Sequence, residues 1–462
     1  MAPGAFSTIY WPIETKVREL DSALLFAVLG AQRGWSVIVG GKSEIYARLK
    51  QNAEPGIVVD KSIQKGSERL FIPLKKAGHR VFARCEEALW SVTPEQYANL
   101  KTGVDAFREV EVLLAWGRRH AGFLAHVYPQ FAHKVVATGN IRFDVMNPAV
   151  RGIYEREVSR IRQKWGSFYL LNTKLTKIND VKAGIDYLES QKAKGRIPNE
   201  EQLRLILKRL ALEKETLPHY IEFVERFSKE LPGETLIIRP HPAEDFSLWH
   251  RLAAGKTNVH VIHEGSVYPW LLASKMSISS DCTTSVEAFL LDKPGINFRP
   301  YQDEEVEGEL PRVTAYQIET TDALLAALAS SDPSSTLSLP DVCVDEILGN
   351  AVAQYPRGFA SHAILDFIED LRVTREGLDD PGYNPLRKRN HALAGMRTLK
   401  VLVAWCISKK NRARYRNREH KFRGLELGEV ATRVDDICGT LGYEGIRVKQ
   451  VADNIFHIDR ET

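Results

Sequence analysis

Twice along this chain, short apolar runs alternate with stretches of helical spacing. That rhythm limits the fold more than any other feature. FSTIYW leads into TKVRELDSALLFAVLGAQRGW, where Val17, Leu20, Leu24, Leu25, Val28 and Leu29 share one helical face and Gly34 marks a stop. SVIVGG, GIVVD, HRVFARC, EVEVLLAWG and HKVVATG read as five further strands with helical segments between them. A second series begins near Ser167 with SFYLLNT and continues through ETLIIRP, VHVIHEG, MSISS and PGINF. Residues 180–230, YPWLLASK, TTSVEAFLLD and residues 354–373 supply its helices. Parallel strands need crossover connections, and helices supply them. The predicted fold class is α/β: two Rossmann-like, doubly wound domains, 1–150 and 151–375, the boundary falling after Asn147-Pro148. Ligands in such sheets sit beyond the carboxyl ends of the strands, so a cleft between the domains is the expected site.

Residues 376–462 read differently, as a basic C-terminal extension. Between Arg387 and Arg423 there are 13 Lys/Arg and one acid, Glu419, which leaves 50 Lys/Arg against 58 Asp/Glu elsewhere. An acidic body with a basic arm points to an anionic partner for the arm. The mixed basic and apolar segment MRTLKVLVAWCISKKNRARYR fits an anionic membrane surface through residues 387–423. Nothing in it resembles an RNA-binding or zinc signature, so no nucleic acid is expected. The five cysteines (Cys85, Cys282, Cys343, Cys406, Cys438) are scattered and form no CxxC pair, which suits a reducing compartment. Residues 1–20 hold no basic segment followed by an apolar run, and no run is long enough for a membrane span. A cytoplasmic protein is expected, peripheral at the inner face of the membrane.

Two elements concentrate the chemistry. In the first, a strand runs into Asp281-Cys282-Thr283-Thr284-Ser285 and then a helix. Free N–H groups and the dipole at a helix start favour an anion, and three hydroxyls add donors. Glu287, in the first turn, could accept both hydroxyls of a ribose. The same residues also make ordinary helix caps, and both readings stand. In the second element, Arg239-Pro240-His241-Pro242 follows a strand directly. The prolines hold the chain extended and fix the direction of His241. An imidazole can donate to a phosphate and, when protonated, stabilise a leaving group. In a doubly wound sheet both strand ends face one cleft.

The RPHP element together with Ser279-Ser280 and TTSVEAFLLDKP resembles the donor half of GT-B glycosyltransferases that build surface polysaccharides. It is similar to bacterial sialyltransferases and capsule Kdo transferases, which use CMP-sugars, and to polyol-phosphate transferases of wall teichoic acid. Over roughly residues 8–375 the chain is similar to the surface carbohydrate biosynthesis protein family. The residues carrying that likeness are Ile13-Glu14-Thr15-Lys16-Val17-Arg18-Glu19-Leu20-Asp21, Thr138-Gly139-Asn140-Ile141-Arg142-Phe143-Asp144 and Leu171-Asn172-Thr173. The resemblance implies a GT-B arrangement, with residues 1–150 for the acceptor and 151–375 for a nucleotide-sugar, CMP-activated and Kdo-like. It implies no cofactor beyond that donor, no metal, and a glycan or lipid-linked acceptor. A CDP-polyol or UDP-sugar donor and a non-catalytic assembly subunit are the alternatives.

It further implies that His241, Thr283, Thr284 and Ser285 meet the donor's phosphate; Arg239 is expected among the donor-binding residues. Asn172, Thr173 and Lys174 lie in the loop that GT-B enzymes use against phosphate or sugar. Glu14 could be a general base, with Lys16 or Arg18 as an anion clamp. A solvated first-turn acid is the plainer reading of Glu14. Glu86-Glu87 resembles the paired acids that supply the base in sialyltransferases, although Ala88 replaces the usual glycine. Neighbouring carboxylates raise one another's pKa, which suits a base; acids at a helix start are the alternative. Arg142 and Asp144 are expected to pair at the domain junction.

Overall fold

The computed structural model describes residues 6–461 except 52, 89–92, 180–186, 194, 331–336, 357, 376–421 and 423. The basic segment 387–423 therefore lies outside the described residues, apart from Phe422. Among those described, no helix is long and apolar enough to cross a membrane.

The chain forms two compact units, Met1–Glu86 with Lys101–Val145 and Val352–Thr462, and Glu87–Leu100 with Met146–Ala351. The expected crossing after Pro148 falls a few residues earlier. The expected C-terminal extension is not a separate body, because its described part folds into the first unit.

The first unit holds an eight-stranded sheet. Its parallel strands are β1 (Thr8–Ile13), β2 (Ser36–Gly41), β3 (Ile57–Asp60), β4 (Arg80–Arg84), β5 (Val112–Ala115) and β6 (Val135–Ala137). β1, β3 and β5 are buried along their whole length, as strands covered on both faces must be. That is why they read as unbroken apolar runs. The hairpin β13 (Ile446–Ala452) and β14 (Ile455–Arg460) adds two antiparallel strands, giving the order β13-β14-β2-β1-β3-β4-β5-β6. Gly40 permits this: a Cβ there would lie 2.3 Å from the carbonyl oxygen of Asn454. The helix Leu427–Leu441 packs on the helix Lys16–Gln32, which explains why the latter is buried nearly all round from Glu19 to Ala31.

The second unit holds six parallel strands: β7 (Phe168–Asn172), β8 (Thr235–Arg239), β9 (Val259–Val261), β10 (Met276–Ser279), β11 (Gly295–Phe298) and β12 (Tyr316–Ile318). Their order is β12-β11-β10-β7-β8-β9. The long helix Glu200–Glu230 opens with Asn199 accepting the N–H of Gln202, and its Tyr220, Phe223 and Phe227 join Trp249 and Phe298 in the core. Both sheets are doubly wound. In each, the order of succession reverses at the first strand, β1 between β2 and β3, and β7 between β10 and β8.

Candidate functional site

In the second unit, the carboxyl ends of β10, β7 and β8 stand side by side, and each carries one sequence-predicted element. His241 and the helix Thr283–Leu290 were expected at one phosphate. They flank β7, on strands two spacings apart, roughly 10 Å. The loop after β7 joins them. Lys174 Nζ lies 3.1 Å from the Asp281 carboxylate and also reaches the Asp281 carbonyl oxygen. Asp281 adopts φ 42°, and its carboxylate accepts the N–H of Gly308 at 2.6 Å. Lys174 is thus tied to the helix start. Burial lowers its pKa, and the Asp281 carboxylate, with smaller help from Cys282 and Glu213, more than reverses that, so the net shift is upward.

On the other side of β7 the organising residue is Glu244, which sequence reasoning passed over. It is completely buried. Its carboxylate accepts Thr173 Oγ1 at 2.7 Å, Leu175 N at 3.1 Å, His241 N at 3.2 Å and Trp249 Nε1 at 3.0 Å. It fastens the loop after β7 to the His-Pro turn. The Ala243 N–H donates to His241 Nδ1 at 3.1 Å, so in the neutral ring the proton resides on Nε2.

The other expected ligand-binding residues divide by what their polar atoms already do. Arg239 is buried; it donates to the carbonyl oxygens of Glu264 and Gly265 at 2.8 and 2.5 Å and lies 5.8 Å from the Trp270 ring centre. Burial pushes its guanidinium down to about 10. Its contacts shape the loop after β9. Thr173 gives its hydroxyl to Glu244, and Ser285 gives its own to the Cys282 carbonyl at 2.7 Å, the local use that a helix start allows. Thr283 is half-buried and Glu287 is buried. Two donor atoms differ from these. Asn172 Nδ2 and Thr284 Oγ1 are buried without a hydrogen-bond partner. Asn172 ends β7, Thr284 is the second residue of the helix after β10, and β7 pairs with β10. The helix's capping residue, Cys282, gives no side-chain hydrogen bond to it.

In the first unit, Glu14 follows β1, and its carboxylate lies 2.9 Å from Lys61 Nζ. Glu86 follows β4, 3.2 Å from Arg84 Nε. Glu87 begins a segment grouped with the other unit. Lys16, expected as an anion clamp, donates to the Gly424 carbonyl at 2.9 Å and to Glu429 at 2.6 Å; it secures the C-terminal helix. The Asp144 carboxylate accepts Ala360 N, Ser361 N and Ser361 Oγ at 2.6–2.8 Å and so caps the helix Ala360–Arg375. Gly139 stands at φ 92°, where a Cβ would lie 2.8 Å from the Ala353 carbonyl oxygen. This motif is a structural corner, as its turn chemistry suggests.

No family model matches the chain, and no curated protein matches it. Among solved structures, it is similar to Methanocaldococcus jannaschii UDP-GlcNAc 2-epimerase in complex with UDP-GlcNAc and UDP, at 13% identity over 79% of this chain and 99% of that one, TM-score 0.46. It is similar to the wall teichoic acid polymerase TagF at 13% identity over 80% and 90%, TM-score 0.46. A third likeness is to S. aureus MnaA with UDP, at 14% identity over 81% and 99%, TM-score 0.48.

Proposed function

We propose that the chain is a metal-independent glycosyltransferase of GT-B type in surface-glycan assembly. It takes a nucleotide-activated sugar, CMP-linked and Kdo-like, at the second unit and transfers it to a glycan or lipid-linked acceptor at the first. The observation that carries this reading is the pair of buried, unmatched groups, Asn172 Nδ2 and Thr284 Oγ1, at the reversal point of a parallel sheet. Buried polar atoms without partners are rare and need a reason. A phosphate oxygen would satisfy both, beside a helix start whose N–H groups favour negative charge. Lys174, paired with Asp281, fixes the loop after β7 to that helix start, and His241, held by Glu244, approaches from the other side of β7.

In transfer, the bond between the anomeric carbon and the phosphate breaks, and its electron pair stays on the phosphate. Dipoles already aimed at that charge stabilise it without reorganising. On the acceptor side, a carboxylate of the first unit, Glu86 or Glu14, takes the hydroxyl proton.

Replacing His241 with Ala is expected to lower turnover at least about a hundredfold while circular dichroism and melting stay those of the parent. Near-normal turnover would refute the reading. A thermal-shift panel of CMP, CDP, UDP and GDP identifies the donor: CMP should raise the melting temperature most. A larger response to CDP or UDP would move the assignment to a CDP-polyol or UDP-sugar. No response to any of them would favour the non-catalytic subunit.

A further inference from the structure

At the reversal point of the first unit, five alternating charges form a chain: Glu14, Lys61, Glu19, Arg84 and Glu86. Lys61 Nζ is 2.9 Å from Glu14 and 3.6 Å from Glu19, and Arg84 is 3.6 Å from Glu19 and 3.2 Å from Glu86. The members come from the carboxyl ends of β1, β3 and β4 and from the helix after β1. The middle of the chain is rigid. Glu19 is buried, and its two oxygens accept the backbone N–H groups of Glu14 and Thr15 at 3.2 and 2.9 Å. The Arg84 guanidinium lies 4.6 Å from the Trp11 ring centre and donates to the Pro12 carbonyl at 3.5 Å. Exposure increases toward the ends: 6% for the Glu19 side chain, 14% for Glu86 and 42% for Glu14.

The two ends differ in kind. Glu14 is held by a close ammonium. Burial lowers the Lys61 pKa, yet the Glu19 and Glu14 carboxylates outweigh that and hold Lys61 above its ordinary value. Glu86 moves toward neutrality: burial pushes its carboxyl up, Arg84 opposes, Glu19 adds to the rise, and Lys61 and Arg142 oppose. A general base works best with a pKa near the operating pH. An ion-pair network at the reversal point, on the carboxyl side of a parallel sheet, lies where such folds hold ligands.

We propose that Glu19, Lys61 and Arg84 are positioning residues that hold Glu86 as the base for the acceptor hydroxyl. This rests on the transferase reading above. As the acceptor oxygen bonds to the anomeric carbon, its O–H bond breaks and the proton passes to Glu86, while the leaving phosphate keeps the electron pair of the bond it loses.

The test uses opposite signs. In full-length protein labelled with δ-13C glutamate, Glu86→Gln assigns the Glu86 resonance, and its titration midpoint is read in variants. Lys61→Met should move the midpoint up by at least about half a unit, Glu19→Gln should move it down by as much, and Lys61→Arg should restore it. The acid limb of kcat/KM should move in the same directions. Should Glu19→Gln fail to fold, the Lys61 pair decides alone. Midpoints that stay within error, or move in one direction for both variants, would overturn the proposal, as would an acid limb that ignores them. Midpoints that move as stated in a protein that transfers nothing would remove the transferase reading, and with it the base role, while the network itself stood.

Discussion

Glu244 sets the geometry of the second unit's site from a position that no motif announces. Its carboxylate collects donors from a strand-end hydroxyl, two backbone N–H groups and an indole. Burial pushes its pKa up while those hydrogen bonds, Thr173 and Trp249 first, pull it down. Replacing it with Leu would leave at least four buried donors unmatched. We expect a loss of about 3–5 kcal/mol, and a smaller loss for Glu244→Gln, which keeps one accepting oxygen. Urea unfolding measures both; a Leu variant as stable as the parent would show that the carboxylate is no hub. The sequence hid this residue because its partners lie as far as 71 positions away. His241 was legible for the opposite reason, since two adjacent prolines declare its geometry locally. Glu19 and Lys16 show the same divide. An acid and a base in a helix's first turn look like dipole partners, and only the fold reveals that Lys16 meets Glu429, 413 residues on.

At the scale of elements, strands buried on both faces announced themselves as apolar runs, and all eleven that were expected are present. The ones missed are partly wet. β12 is three residues long, and β13 alternates exposed and half-buried residues along IRVKQVA. A charged edge strand of this kind discourages further pairing and shows little apolar signal. Its partner β14 is better buried, with Ile455, Phe456 and Ile458 in the core. Those three side chains contribute about 1.5–3 kcal/mol each. Seating the hairpin requires the absence of a side chain at Gly40. Gly40→Val should therefore unseat it, with new proteolytic cleavage within 446–460 and a lower melting temperature. An unchanged digest would mean that β2 tolerates the clash. Lys16→Met should do far less, because the Lys16–Glu429 pair is partly exposed and such pairs are worth under about 1 kcal/mol.

For the molecule as a whole, the two sheets repeat one device. Each reverses its winding at the first strand, and each ties the loops on the two sides of that reversal with a lysine–acid pair, Lys61 with Glu14 and Lys174 with Asp281. What surrounds the pair differs. The second unit sets buried, unmatched donors beside a helix start, which suits an anion; the first sets an alternating chain of carboxylates and cations, which suits proton transfer. On the proposed transferase reading, the nucleotide binds at the second unit. Saturating CMP should slow hydrogen exchange in residues 172–176, 240–245 and 280–288, the three loops beside β7, and leave residues 14–19, 60–62 and 84–86 unchanged. At a hundred times Kd, binding adds about 2.7 kcal/mol to the folded second unit, enough to slow exchange through opening of that unit about a hundredfold. Protection at 14–19 and 84–86 with none beside β7 would place the nucleotide on the first unit and reverse the assignment of donor and acceptor.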